Sequence, residues 1–180
     1  KTISLLLIII LSPIFLLISL IILIDDGFPV FFRQNRIGKD NEFFILYKFR
    51  TMVNGTPDIA TDRLESPQNH YIKTGRVLRM LSLDELPQLF NIIKGNINFI
   101  GPRPALYNQS ELIDKRTIHG INTLKPGITG WAQVNGRDML NIDEKVALDK
   151  YYMINNSMLL NTKIIFLTIV KTLKMVNVKL

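Results

Sequence analysis

Residues Ile3 to Ile24 form 22 consecutive positions without a charge, interrupted only by Ser4, Ser12, Pro13 and Ser19. As one α-helix the stretch is about 33 Å long, enough for a hydrocarbon core of roughly 30 Å. That places part of the chain in a membrane, where every backbone polar group needs a local partner. The complication is Pro13, midway along. It has no N–H, and its ring crowds the carbonyl of Ile9. It also biases Ser12 away from helical torsions. The carbonyl so freed needs a substitute donor, and the Ser12 hydroxyl is a candidate. Two outcomes are open: a spanning helix with a kink, or a segment that turns back to its side of entry. The residues alone favour the plain spanning helix.

What surrounds this segment narrows the class. The apolar run is too long for a secretory h-region and no small-residue cleavage site follows it. Asp25-Asp26 comes next, then Arg33, Arg36, Lys39, Lys48 and Arg50. That basic excess assigns the soluble part to the cytoplasm by the positive-inside rule. A chain of 180 residues suits one compact domain plus an anchor. It begins at Lys1 rather than Met, compatible with a catalytic part trimmed from a larger protein. No cysteine is present, which excludes disulfides and thiolate chemistry and fits a reducing compartment. The net charge of +7 suits anionic headgroups, phosphorylated substrates or nucleic acid. The basic residues are mixed with acids and lack aromatic interleaving, so nucleic acid is a poor fit.

Beyond the anchor, Pro29-Val-Phe-Phe-Arg-Gln and Glu42-Phe-Phe-Ile-Leu-Tyr-Lys flank Gly38-Lys-Asp-Asn and predict a β-hairpin. Residues Asn54 to Asn69 read as a surface loop. Leu86, Leu89, Phe90 and Ile93 mark one helix face, with Gly95 as its stop. Further helices are expected over Ala105–Arg116 and Asp143–Asn155, the latter with Asn141 and Glu144 as a cap pair. Ser157 to Leu180 reads as a basic amphipathic helix, packed on the core or lying in the membrane interface.

Chemistry concentrates in three places. In Arg79-Met-Leu-Ser-Leu-Asp-Glu-Leu-Pro-Gln-Leu-Phe-Asn91, Asp84 and Glu85 sit where a helix begins. The structural reading is a capping box, Ser82-x-x-Glu85, with acids favoured by the helix dipole. The functional reading uses the same field to keep a carboxylate ionised as nucleophile or Mg²⁺ ligand. In Gly101-Pro-Arg103-Pro104, two prolines restrict the backbone around a guanidinium able to hold phosphate bidentately. In Gly127-Ile-Thr-Gly-Trp-Ala-Gln-Val-Asn-Gly-Arg137, three glycines near Asn135 and Arg137 would let backbone approach a nucleotide. His70 and His119 are isolated and read as structural, and Trp131 as core or interface.

These motifs, with Lys48-Phe-Arg-Thr-Met52, occur in an order that resembles the bacterial sugar transferase family, the monotopic phosphoglycosyl transferases of the small PglC-like kind. The resemblance covers essentially the whole chain. Asn96 departs from it, standing where many members have Asp, as does Met80, where a basic or polar residue is common.

What the resemblance implies is transfer of a sugar-1-phosphate from a UDP-sugar to polyprenyl (undecaprenyl) phosphate, releasing UMP, with Mg²⁺. The catalytic dyad falls on Asp84, the nucleophile and metal ligand, and Glu85, which orients or deprotonates. Lys48, Arg50, Arg79, Arg103, Asn135 and Arg137 are expected on substrate. The membrane segment becomes re-entrant, broken at Ser12-Pro13, and the enzyme sits at the cytoplasmic face of the bacterial inner membrane as the initiating step of glycan assembly. Expected partners are the two substrates and membrane lipids, without nucleic acid. The expected fold is α+β: a re-entrant helix over 1–26, a small, mostly helical catalytic domain with a β-hairpin over 27–157, and an amphipathic interfacial helix over 158–180. The alternative from another class is a non-catalytic membrane-attached module that binds lipid phosphate or nucleotide and has no use for the dyad.

Overall fold

The computed structural model describes residues 1–59 and 64–174, so the last residues of the expected 158–180 helix and part of the 54–69 loop lie outside it. The fold is α+β, and the described chain forms two units. The first comprises residues 1–34 and 45–95, and the second 35–44 and 96–174.

Helix α1, Thr2–Asp26, opens the first unit and is long and apolar enough to cross a membrane. It runs helical through Pro13, and Ser12 Oγ donates to the Ile9 carbonyl at 2.8 Å. This is the carbonyl that Pro13 cannot serve, so the serine makes a proline tolerable there. Most of the helix surface is exposed apolar side chain, from Ile3 and Leu5 to Leu20 and Ile24. One stripe turns inward: Ile18 and Ile22, with Phe15 and Leu23, pack on Val30, Phe49, Ile72 and Leu78. The Phe15 ring lies 5.4 Å from Phe49 and 5.9 Å from Phe90.

The predicted hairpin is present as β1, Phe31–Ile37, and β2, Phe43–Phe49. Asp40 and Asn41 take left-handed torsions in its turn, a conformation these side chains tolerate. After the loop come α2, Gly75–Met80, and α3, Gln88–Lys94. Gly95 ends α3 at φ 84°, as its position predicts, with its N–H on the Asn91 carbonyl. The buried face of α3 is not the expected one. It carries Gln88, Leu89, Asn91 and Ile92, while Phe90 is exposed.

In the second unit, β3, Asn98–Ile100, pairs in parallel with β5, Gly127–Thr129. Strand β4, Ala105–Leu106, pairs antiparallel with the end of β1, Ile37 facing Ala105. This corrects the helix expected from Ala105. Residues 105 and 106 are held in the sheet, and α4 spans only Ser110–Ile118. The short α5, Trp131–Val134, leads to α6, Ile142–Asn155, whose Asn141/Glu144 capping box forms as expected. Helix α7, Met158–Leu173, is capped by Ser157. Its Leu160 and Ile164 are buried against Val134 and Tyr152, while Met158, Leu159, Phe166, Ile169 and Leu173 are exposed. The packed-on-core reading holds for the face that carries Leu160 and Ile164.

Candidate active site

Strand β2 places Lys48. Phe44 and Leu46 point inward at alternate positions, and Lys48 takes the next inward place. A buried ammonium there requires a partner. Two are supplied. Lys48 Nζ donates to Glu85 Oε1 at 3.1 Å and lies 3.6 Å from Asp84 Oδ2. Both carboxyl residues are buried, at 4% and 8% exposure, so the three charges form one desolvated cluster.

The turn that delivers the dyad is not a capping box. Ser82 is left-handed at φ 56° and makes no side-chain cap. A 3₁₀ turn follows over Leu83–Glu85, closed by the Glu85 N–H on the Ser82 carbonyl at 3.2 Å. With no side-chain cap from Ser82 and Glu85 on Lys48, the capping interpretation of Ser82-x-x-Glu85 is overturned. Asn91, fully buried on α3, ties the same strand to the helix after the dyad. Its Oδ1 accepts from Tyr47 N–H at 3.0 Å and its Nδ2 donates to the Ile45 carbonyl at 2.7 Å. The amide thus takes the place of a neighbouring strand beside Lys48. Sequence reasoning passed it over, although a polar residue between Leu89 and Ile92 on a buried face is its signal.

The structure brings together Lys48, Asp84 and Glu85 from the expected set. Arg79 stands on α2, where Nη1 donates to the Tyr71 hydroxyl at 2.8 Å and the guanidinium lies 5.3 Å from that ring's centre. Arg50 is engaged elsewhere. Its fork binds Asp26 and the carbonyls of Asp26 and Gly27 at the end of α1, a scaffold contact rather than one within the acid cluster.

Arg103, Asn135 and Arg137 lie in the second unit. The segment bearing Arg103 is held through its backbone: Arg116 Nη1 donates to the Arg103 carbonyl at 2.8 Å, and Arg36 Nη1 to the Pro104 carbonyl at 2.9 Å. Arg116 is itself buried on Asp149, with Nε and Nη2 at 3.0 and 2.6 Å from Oδ2. Burial pushes the Asp149 carboxyl up, and the Arg116 charge and hydrogen bonds oppose this. Asn135 Nδ2 donates to the Trp131 carbonyl at 2.7 Å. Two of the glycines expected to admit a nucleotide have another use. A Cβ on Gly127 or Gly130 would lie 2.1 Å from Gly101 backbone, so both glycines serve chain-to-chain contact.

Among the described residues no cluster of three or more His, Cys, Asp or Glu forms a ready-made metal cage. Asp84 and Glu85 are the carboxylates that would hold Mg²⁺, an ion bound through one or two carboxylates plus substrate phosphates.

The arrangement defines an α+β protein with one helix long and apolar enough to cross a membrane and a buried acid pair gripped by a lysine. Known proteins specify it further. The sequence pattern of the family described as bacterial sugar transferase matches residues 1–175. The sugar transferase EpsL of Bacillus subtilis is 41% identical over 162 residues, covering 90% of this chain and 79% of its own. The exopolysaccharide production protein ExoY of Sinorhizobium fredii is 36% identical, covering 93% and 80%. The UDP-glucose:undecaprenyl-phosphate glucose-1-phosphate transferase of Escherichia coli is 35% identical over 92% of this chain, which spans 37% of that enzyme. The chain belongs to the bacterial sugar transferase family.

Proposed function

We propose that this phosphoglycosyl transferase moves a sugar-1-phosphate from a UDP-sugar to undecaprenyl phosphate through a covalent intermediate on Asp84. The observation that carries the reading is the buried Asp84–Glu85 pair around Lys48 in a chain of this family. Relatives named as UDP-sugar:undecaprenyl-phosphate transferases support the overall reaction.

In the first half, an Asp84 carboxylate oxygen attacks the β-phosphorus of the UDP-sugar. The bond from that phosphorus to the bridging oxygen breaks, and UMP leaves with the electron pair. Asp84 then carries the sugar phosphate as an acyl phosphate. In the second half, an oxygen of undecaprenyl phosphate attacks the same phosphorus, and the Asp84 carboxylate departs. The products are undecaprenyl-diphosphate-sugar and UMP. Glu85 orients Asp84 or takes up a proton, and Lys48 holds both carboxylates in place. Asp84, with Glu85 beside it, would hold Mg²⁺, which would supply neutralisation of the diphosphate charge. Arg79, Arg103 and Arg137 are proposed on phosphate or uridine.

Helix α1 serves as a re-entrant anchor bent at Ser12-Pro13, with the soluble part on the cytoplasmic face of the inner membrane. The supporting features are the proline within the apolar run and the basic residues that follow it. One substrate arrives from water and the other keeps its tail in the bilayer, so a site near headgroup height serves both. The test is UMP release from a panel of UDP-sugars with undecaprenyl phosphate. Wild type should release UMP with at least one sugar, and Asp84→Asn with none. An active Asn variant would remove Asp84 from the nucleophile's role.

A further inference from the structure

The last turn of α1 is fastened by groups that the chemistry above does not use. Arg50 is 3% exposed. Its Nη1 donates to Asp26 Oδ2, and its Nη2 donates to the carbonyls of Asp26 at 2.9 Å and Gly27 at 2.6 Å. These are carbonyls that a helix C-terminus leaves without intrahelical partners. On the preceding residue, Asp25 Oδ2 accepts from both the N–H and the Oγ1 of Thr74, each at 2.7 Å.

The two fastenings meet. Thr51, next to Arg50, accepts from the Ile72 N–H at 3.2 Å. Gly75, next to Thr74, presses so closely on Thr51 that a Cβ would lie 2.0 Å from its carbonyl oxygen. The end of α1, the end of β2 and the start of α2 therefore share one packed node. From it β2 runs back two residues to Lys48. In the other direction α2 runs forward through Arg79 to Ser82, Asp84 and Glu85. The helix end is thus joined to the dyad through the chain from both sides.

We propose that Arg50 and Asp26 are positioning residues that fix the height of the dyad against the bilayer and so govern use of the membrane-embedded acceptor. The inference rests on the transferase reading. The reasoning is geometric. Helix α1 carries most of the exposed large apolar side chains of this unit, so its last turn sets where the unit stands relative to lipid. UDP-sugar comes from water and is indifferent to that height. The phosphate of undecaprenyl phosphate is confined to headgroup depth, so misplacement by an ångström or two costs the second half-reaction.

The experiment uses the full chain in vesicles containing undecaprenyl phosphate, with a UDP-sugar that wild type turns over. Arg50→Lys keeps the charge but cannot make three forked bonds. It should raise KM for undecaprenyl phosphate about tenfold, within the roughly hundredfold that an ångström of misplacement can cost. Asp26→Asn keeps both backbone bonds and should raise that KM less, about threefold. In both variants KM for UDP-sugar and the UMP burst without acceptor should stay within about twofold of wild type. A short-chain, water-soluble prenyl phosphate should be used equally well by all three. Equal loss in both half-reactions, or no loss in either, overturns the proposal. If Arg50→Lys fails to fold or insert, Asp26→Asn decides. Absence of UMP from wild type with every UDP-sugar overturns the transferase reading, and this inference with it.

Discussion

Lys48 shows what a single position reveals and what it hides. Its place after Phe44 and Leu46 in an alternating strand marks an inward lysine, and an inward lysine needs an acid. The sequence does not say which, since Asp84 and Glu85 lie more than thirty positions away. Read as a lone cation it suits a phosphate. In the fold it is also the counter-charge that lets two carboxylates stay buried side by side. Replacing it with Met should cost about 3 kcal/mol or more, because a broken buried pair leaves uncompensated charge. Denaturant unfolding of Lys48→Met measures this. An unchanged midpoint would mean that the lysine does not hold the acids. Arg50 makes the opposite lesson. The Lys48-Phe-Arg run looks like two substrate cations, and alternation would put both on one face, but the strand ends at Phe49 and Arg50 binds the end of α1.

At the scale of elements, legibility follows how local the determining interactions are. Helix α6 was readable because its cap is made within three residues, Asn141 with Glu144. So was the stop of α3 at Gly95, which needs only one left-handed residue. The start of α4 was not. Ala105 and Leu106 have helical character in isolation, but pairing with Arg36 and Ile37, some seventy positions away, puts them in a sheet. The parallel pairing of β3 with β5 is too short to leave a period, and its glycines look like a ligand cradle until Gly101 is seen filling the space.

The Arg116–Asp149 pair on α4 and α6 is likewise non-local. Arg116→Met should destabilise by about 3–5 kcal/mol, as removal of one buried partner does. The sign of its pH dependence is fixed. Burial already pushes the Asp149 carboxyl up, and loss of Arg116 removes what opposes it. The folded variant then keeps a proton that the unfolded chain releases near pH 4, so stability falls as pH rises through that window. Thermal melts of Arg116→Met between about pH 4 and 7 should show a Tm that falls with rising pH relative to wild type. A parallel profile would mean the pair carries no linkage.

Over the whole molecule, the first 26 residues read as a membrane segment, and α1, long and apolar enough to cross one, occupies that span. Ser12 serving the Ile9 carbonyl was foreseeable from the Ser-Pro order alone. The side on which Lys1 lies is a property of helix and bilayer together. Cysteine labelling from the periplasm should miss both residue 1 and residues following Asp26. Labelling of residue 1 from outside would make α1 a spanning helix. Replacing Ser12 and Pro13 with Ala and Leu should move residue 1 toward that exposure by straightening the helix.

The reaction itself is tested most directly by intact-protein mass spectrometry after mixing the enzyme with its UDP-sugar and no acceptor. The account predicts a sugar-phosphate adduct on the peptide bearing Asp84. The adduct should disappear when undecaprenyl phosphate is added and be absent from Asp84→Asn. Full turnover with sequential kinetics and no adduct at any quench time would contradict the covalent route and leave Asp84 as a metal ligand for direct transfer.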